Sequence, residues 1–179
     1  MSQIARLSRW TLAVLVALVA VGMSFGSASA APANPAAKQD AALSRKYNEQ
    51  KQRLKLQDVR LNRALEYATK IDSLIAKLKA KGKDTASLEQ AVAAFRDGIA
   101  RARAEWQAAS DTLTAHAGFD AAGKVVNADQ ARATLKSAHE HMENTHTIAR
   151  DAYKSLHAAV AAYRKANRQV KEPVAPLQP

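Results

Sequence analysis

The clearest pattern in the sequence is a run of apolar residues between Asp84 and His116, spaced alternately four and three positions apart. The run comprises Leu88, Val92, Phe95, Ile99, Ala102, Trp106, Ala109 and Leu113. Residues at these spacings share one side of an α-helix. A long helix with a single apolar side needs partners against that side. The pattern therefore predicts a helix at about residues 85–117 that packs against other helices.

Matching patterns on both sides of this segment predict two further helices, at about residues 40–81 and 128–168. Apolar residues recur every seven positions in each, at Tyr47, Leu54, Leu61, Ala68 and Ile75 in the first and at Leu135, Met142, Ala149, Leu156 and Tyr163 in the other. Gln50 and Gln57 occupy positions of the first pattern where apolar residues are expected. A short link after the first helix requires it to run antiparallel to the second. An unbroken seven-residue repeat is typical of left-handed coiled-coil packing.

The predicted fold is therefore all-α, an elongated antiparallel three-helix bundle with coiled-coil-like packing. Gly98 borders the apolar side of the second helix, where it is compatible with a close approach of another helix. The residues predicted to pack in the core are Leu54, Leu61, Ile75, Leu88, Phe95, Ile99, Trp106, Leu113, Leu135, Met142, Leu156 and Tyr163.

The ends of the chain differ in composition from this bundle, which is predicted to span residues 40–170. Residues 1–30 have the order of a cleavable export signal: basic Arg6 and Arg9, an apolar core, and small residues up to Ala30. The alternative is an uncleaved anchor, but the apolar run is short for a bilayer of about 30 Å. Residues 31–39 are predicted to be a flexible leader and residues 171–179 a proline-rich tail. The protein is thus expected to be exported, to the periplasm or beyond, with cleavage after Ala30.

Composition narrows the possible functions. The chain has no cysteine and a formal charge of +11, so neither a disulfide framework nor a lipid-modified cysteine is possible. Positions 38–83 hold 13 basic and 5 acidic residues. Such a charge excess is either a solvated helix surface or a surface that attracts anions. Nucleic acid is not the expected anion, because an exported protein with few exposed aromatic residues offers little base stacking.

The positions of the basic residues suggest where an anionic surface would bind. Counting residues along the predicted helices places Ala161 level with Lys81, so that the start of the first helix and the end of the third extend beyond the three-helix section. Both ends are basic, which predicts peripheral contact with an anionic surface through Arg45, Lys46, Arg164, Lys165, Arg168 and Lys171.

One group of residues has the composition of a metal site. His139, Glu143 and His146 share one side of the third helix, and two imidazoles with a carboxylate can bind zinc, copper or nickel. The alternative is that they are polar residues beside the core. The sequence contains no nucleophile paired with a base and no phosphate-binding loop. Neither an enzyme nor a cofactor is predicted.

Export, basicity and helical form together resemble those of the small exported helical chaperones of the bacterial envelope, although the Leu-Thr-x-x-Gln repeat of one such group is missing. The resemblance implies a non-enzymatic module that binds or shields a partner, as a chaperone or adaptor. A metal-binding protein that uses the His139 strip is one alternative. A structural coiled coil that associates with itself is the other.

Overall fold

Three α-helices pack against one another in the computed structural model, which describes residues 34–168. They are α1 (Pro35–Lys79), α2 (Ala86–Ala115) and α3 (Ala128–Arg168). Strands are absent from residues 34–168, where the one β-bridge joins Phe119 to Val125. The all-helical prediction is confirmed. The predicted export signal, its cleavage after Ala30 and the tail at 171–179 lie outside the described residues.

The helix ends differ from the predicted ones for local reasons. α1 begins at Pro35 rather than near residue 40, so residues 35–39 of the predicted leader are helical. The side chain of Asn34 accepts a hydrogen bond from the Ala36 amide at 3.1 Å, and Pro35 suits the first helical position. α1 ends at Lys79, shortly before Gly82 with its positive φ of 69°. α2 stops at Ala115 rather than 117 because His116 adopts a left-handed conformation.

The core consists of two contiguous clusters along the bundle, one around Phe95 and the other around Tyr47. The residues predicted for the core are buried, with two exceptions, Trp106 and Tyr163, which are half-buried. Trp106 lies at the border of both clusters, where its indole N–H donates to the Leu54 carbonyl at 2.9 Å. Both residues pack against the apolar clusters from their edge, where the polar group that each carries is compatible with partial exposure.

Hydrogen bonds between the helices define which residues lie side by side. On α1 and α2, the Tyr47 hydroxyl donates to the Leu113 carbonyl, whereas Lys79 pairs with Glu89, so these helices run in opposite directions. On α1 and α3, Gln50 meets Leu135 and Gln57 meets Met142. Because the residue numbers of both partners increase together in these two hydrogen bonds, α3 runs parallel to α1.

The loop between α2 and α3 folds back over the beginning of α1. Phe119 stacks on Tyr47 with ring centroids 4.3 Å apart, and Tyr47 is only 4% exposed. Asp120 organises the loop by accepting hydrogen bonds from the amides of Ala122 and Lys124. The prediction that residues 40–48 project beyond the three-helix section was wrong at Tyr47, which the loop covers and whose hydroxyl reaches Leu113 of α2.

Gly98 marks a close approach of α2 to α3. A Cβ added at this position would lie 2.7 Å from the Cβ of Ala152, well inside a normal van der Waals contact. We expect Gly98→Ala to lower the free energy of unfolding by about 1–3 kcal/mol, as overpacking does, although alanine favours a helix by about 1 kcal/mol over glycine. Urea denaturation measures the change. The double variant Gly98→Ala with Ala152→Gly should recover most of the loss, and a more stable single variant would contradict the close contact.

Candidate functional site

Three ion pairs link α1 to α2. Lys79 pairs with Glu89 at 2.9 Å, Arg103 pairs with Asp58 at 3.3 Å, and Arg96 pairs with Asp72. Hydrogen bonding to Asp72 raises the pKa of Arg96. The hydrogen bonds from Thr85 and Lys79 lower the pKa of Glu89. Acidic side chains of α1 are thus used to hold α2.

The contact between α2 and α3 has a histidine–carboxylate pair of its own. His141 Nδ1 lies 2.7 Å from a carboxylate oxygen of Glu105, to which Asn144 also donates. The hydrogen bond from His141 lowers the pKa of Glu105. Buried alanines occur on both helices, at Ala102, Ala109 and Ala138, and the ring of Phe95 on α2 packs against that of Tyr153 on α3 with centroids 5.0 Å apart.

The contact between α1 and α3 is different, because no ion pair crosses it within residues 34–168. Two glutamines seven residues apart form the main polar link. Gln50 Nε2 donates to the Leu135 carbonyl at 3.0 Å, and Gln57 Nε2 donates to the Met142 carbonyl at 2.8 Å. The Oε1 atom of each glutamine is buried without a protein hydrogen-bond partner. The polar residues that interrupt the apolar pattern of α1 therefore set its register against α3.

Basic side chains of α1 and α3 line the two sides of the groove between these helices. A first depression lies between Lys46 and Arg53 of α1 and Arg132, Lys136 and His139 of α3. A second lies farther along the groove, and its basic or titratable lining residues are Arg60, Arg63, His146 and Arg150. Glu49 is the one carboxylate that lines either depression. We refer to these nine basic and histidine side chains and the groove between them as the cationic groove.

Most of this charge is not neutralised by neighbouring groups. Within the described part of α1, Lys79 is the one basic residue in an ion pair. On the α3 side, the partners of Arg132, Lys136 and Arg150 are exposed acids of α3 itself. Exposed pairs of this kind contribute about 0–1 kcal/mol, so the basic groups remain able to engage an external anion. Arginine presents a planar fork of N–H donors that matches carboxylate and phosphate oxygens.

The histidine strip predicted as a metal site is part of this groove. His139 lines the first depression beside Arg53, and His146 lines the second beside Arg60. No three His, Cys, Asp or Glu side chains between residues 34 and 168 are arranged to hold a metal ion. The strip of His139, Glu143 and His146 is therefore not assembled as a ligand set, and nearby guanidinium groups disfavour a bound cation.

The residues predicted to contact an anionic surface are exposed, except that Lys171 lies outside the described residues. Lys46 belongs to the cationic groove. Arg164, Lys165 and Arg168 line a separate depression at the end of α3, and the structure does not bring them together with Arg45 or Lys46. The sequence analysis missed Arg53, Arg60 and Arg132. Their signal was present, because Lys46, Arg53 and Arg60 recur every seven residues on α1.

Comparison with known proteins returns no match. No protein-family model matches the sequence, and no curated protein or solved structure matches it significantly. No helix among residues 34–168 is long and apolar enough to cross a membrane. The function must therefore be argued from the cationic groove itself.

Proposed function

We propose that this protein is an exported, non-enzymatic helical module of the bacterial envelope that binds an anionic partner along the cationic groove. The observation that carries the proposal is that basic residues line both walls of one groove and meet no acid of the facing helix: among the described residues, those of α1 are in no ion pair, and Arg132, Lys136 and Arg150 of α3 pair only with exposed acids of α3 itself. The other two helix contacts are joined by acid–base pairs between the helices. Like charges that face one another weaken a fold, and sequences tolerate such local conflicts mainly at functional sites.

The shape of the module supports this role. We infer an elongated antiparallel three-helix bundle with left-handed, coiled-coil-like packing, from the seven-residue repeats and the opposite directions of α1 and α2. In such a bundle each pair of neighbouring helices forms a groove along its whole length. The groove between α1 and α3 is the one that both Lys46 and Arg132 line, so a binding surface extends along the bundle rather than in an enclosed pocket.

Sedimentation with anionic material tests the proposal. The chain from Ala31, which contains the whole helical bundle, is mixed with phosphatidylglycerol vesicles, lipopolysaccharide or polyglutamate at low salt and at about 0.5 M salt. We expect binding to at least one of these probes at low salt and loss of binding at high salt, where the Debye length falls to about 4 Å. Neutral phosphatidylcholine vesicles provide the control. Equal recovery with neutral vesicles, or no binding to any anionic probe, would contradict the proposal.

Two double variants locate the binding surface. Arg53→Glu with Arg60→Glu reverses two charges of the cationic groove, whereas Lys51→Glu with Lys55→Glu makes the same change of net charge on the α1 surface that borders α2. We expect the first variant to weaken binding at least tenfold and the second to weaken it far less. Circular dichroism should show equal helicity for both. Equal weakening by both variants would mean that overall charge, rather than the groove, determines binding.

A further inference from the structure

The two walls of the cationic groove carry the same order of side chains. Along α1, successive positions seven residues apart hold Lys46, Arg53, Arg60, Tyr67 and Leu74; along α3 they hold Arg132, His139, His146, Tyr153 and Val160. Each wall thus begins with three basic or titratable groups, continues with a tyrosine and ends with an aliphatic residue. The groove is basic at one end and aromatic and aliphatic at the other.

The two orders also coincide in space. Lys46 and Arg53 share the first depression with Arg132 and His139, and Arg60 shares the second with His146. Beyond them the rings of Tyr67 and Tyr153 lie with centroids 6.2 Å apart. The first four members of the two rows therefore lie opposite one another along the groove.

From this arrangement we propose that the occupant of the groove is an amphipathic, acidic α-helix of another protein, which lies along α1 and α3 as a fourth helix. The inference rests on the proposed function, since it specifies the anionic partner of the same groove. Acidic residues of the partner helix lie beside the basic part of the groove. Its apolar residues lie over Tyr67 and Tyr153.

The spacing of the basic rows favours a helix over an extended chain. Seven residues of an α-helix span about 10.5 Å, so a partner helix with carboxylates every seven residues meets each basic pair in turn. Same-side residues of an extended peptide repeat at about 6.6–6.8 Å and lose this register after one pair. Packing into the groove between two neighbouring helices is also the standard arrangement of a helix in a four-helix bundle.

Apolar surface at the far end of the groove supports the same occupant. Leu74, one heptad beyond Tyr67, is 46% exposed; at the basic end Leu56, between Arg53 and Arg60 in the sequence of α1, is 58% exposed. Exposed aliphatic residues beside basic ones suit an amphipathic helix, which presents both kinds of contact on one side. A second copy of this chain is a poor occupant, because two copies of the chain from Ala31, each with 25 basic and 16 acidic residues, repel each other.

Two synthetic peptides of identical composition test the proposal. The first has glutamates every seven residues in its N-terminal half and leucines at the same positions in its C-terminal half. The second contains the same residues in an order that keeps helix propensity but has no seven-residue recurrence. Each peptide carries a fluorescent label and is titrated with the protein from Ala31 at low salt, with fluorescence anisotropy as the measure of binding and circular dichroism as the measure of helix in the bound peptide.

We expect the first peptide to bind at least tenfold more tightly than the second and to gain helix when bound. The double variant Arg53→Glu with Arg60→Glu should bind the two peptides equally. Leu74→Ala should weaken binding of the first peptide severalfold. If both peptides bind equally, or if anionic vesicles bind and neither peptide does, the helix proposal is overturned while the proposed function stands. If no anionic probe binds, both fail.

Discussion

Gly118→Ala should lower the free energy of unfolding by at least about 4 kcal/mol, a size of effect that single substitutions reach only through a specific structural conflict. Gly118 has a φ of +85°, and a Cβ built there would lie 2.2 Å from the Ala131 amide nitrogen and 2.7 Å from the Asn127 carbonyl oxygen. These neighbours are backbone atoms of the turn into α3, which cannot move aside as a flexible side chain can. Urea denaturation followed by circular dichroism measures the loss.

Gly82→Ala provides a matched control for this prediction. Gly82 also has a positive φ, of 69°, but a Cβ there would meet no atom within 4 Å. The substitution therefore adds only the strain of a left-handed alanine, about 1–2 kcal/mol. Similar losses for the two variants would show that backbone conformation alone decides the effect, and that the turn at Gly118 is not as closely packed as the structure indicates.

The helices could be predicted from the sequence because their apolar residues recur at helical spacing over many turns, although Gln50 and Gln57 interrupt the pattern in α1. Asn127 caps α3 by accepting hydrogen bonds from the amides of Asp129 and Gln130, a role for which asparagine is one of the preferred residues. The start of α1 was harder to predict. Pro35 was interpreted as part of a flexible leader. Proline is, however, well tolerated in the first turn of a helix, and here Asn34 caps that turn.

The cationic groove could not be predicted without the register between α1 and α3. Counting residues placed Ala161 level with Lys81, but the hydrogen bonds of Gln50 and Gln57 show that α3 is displaced along α1 by more than one helical turn from that estimate. The count ignored the loop at 118–127, which folds back and shifts the start of α3. An error of one turn is enough to place different residues opposite Arg53 and Arg60.

The residues that join α1 to α2 and the residues proposed to bind an anion lie on different sides of α1. The ion pairs of Asp58 and Asp72 hold α1 to α2, which leaves the opposite side of α1 with basic residues that no neighbouring acid neutralises. The apolar core lies between these two surfaces. Exposed groove residues can therefore be changed with little effect on folding, since surface substitutions usually alter stability by less than about 0.5 kcal/mol.

Phe95→Ala is the substitution that should most clearly affect the core rather than the groove. Phe95 is 1% exposed, and its ring makes edge-on contacts with Tyr153 at 5.0 Å and with Tyr67 at 6.4 Å between centroids. Truncation of a buried phenylalanine costs about 3–5 kcal/mol, and aromatic pairs add to the loss. Because domains are typically stable by about 5–15 kcal/mol, the variant should be largely unfolded at moderate urea concentrations.

Leu74→Ala distinguishes this core effect from an effect on binding. Leu74 is exposed, so its truncation should change the free energy of unfolding by less than about 0.5 kcal/mol, while it removes an apolar contact for a helix in the groove. Phe95→Ala should reduce stability first, and peptide binding only as far as Tyr67 and Tyr153 lose their support. Equal unfolding midpoints for Phe95→Ala and the unaltered protein would mean that the ring is not packed between α1 and α3. A large loss of stability in Leu74→Ala would instead place that residue in the core.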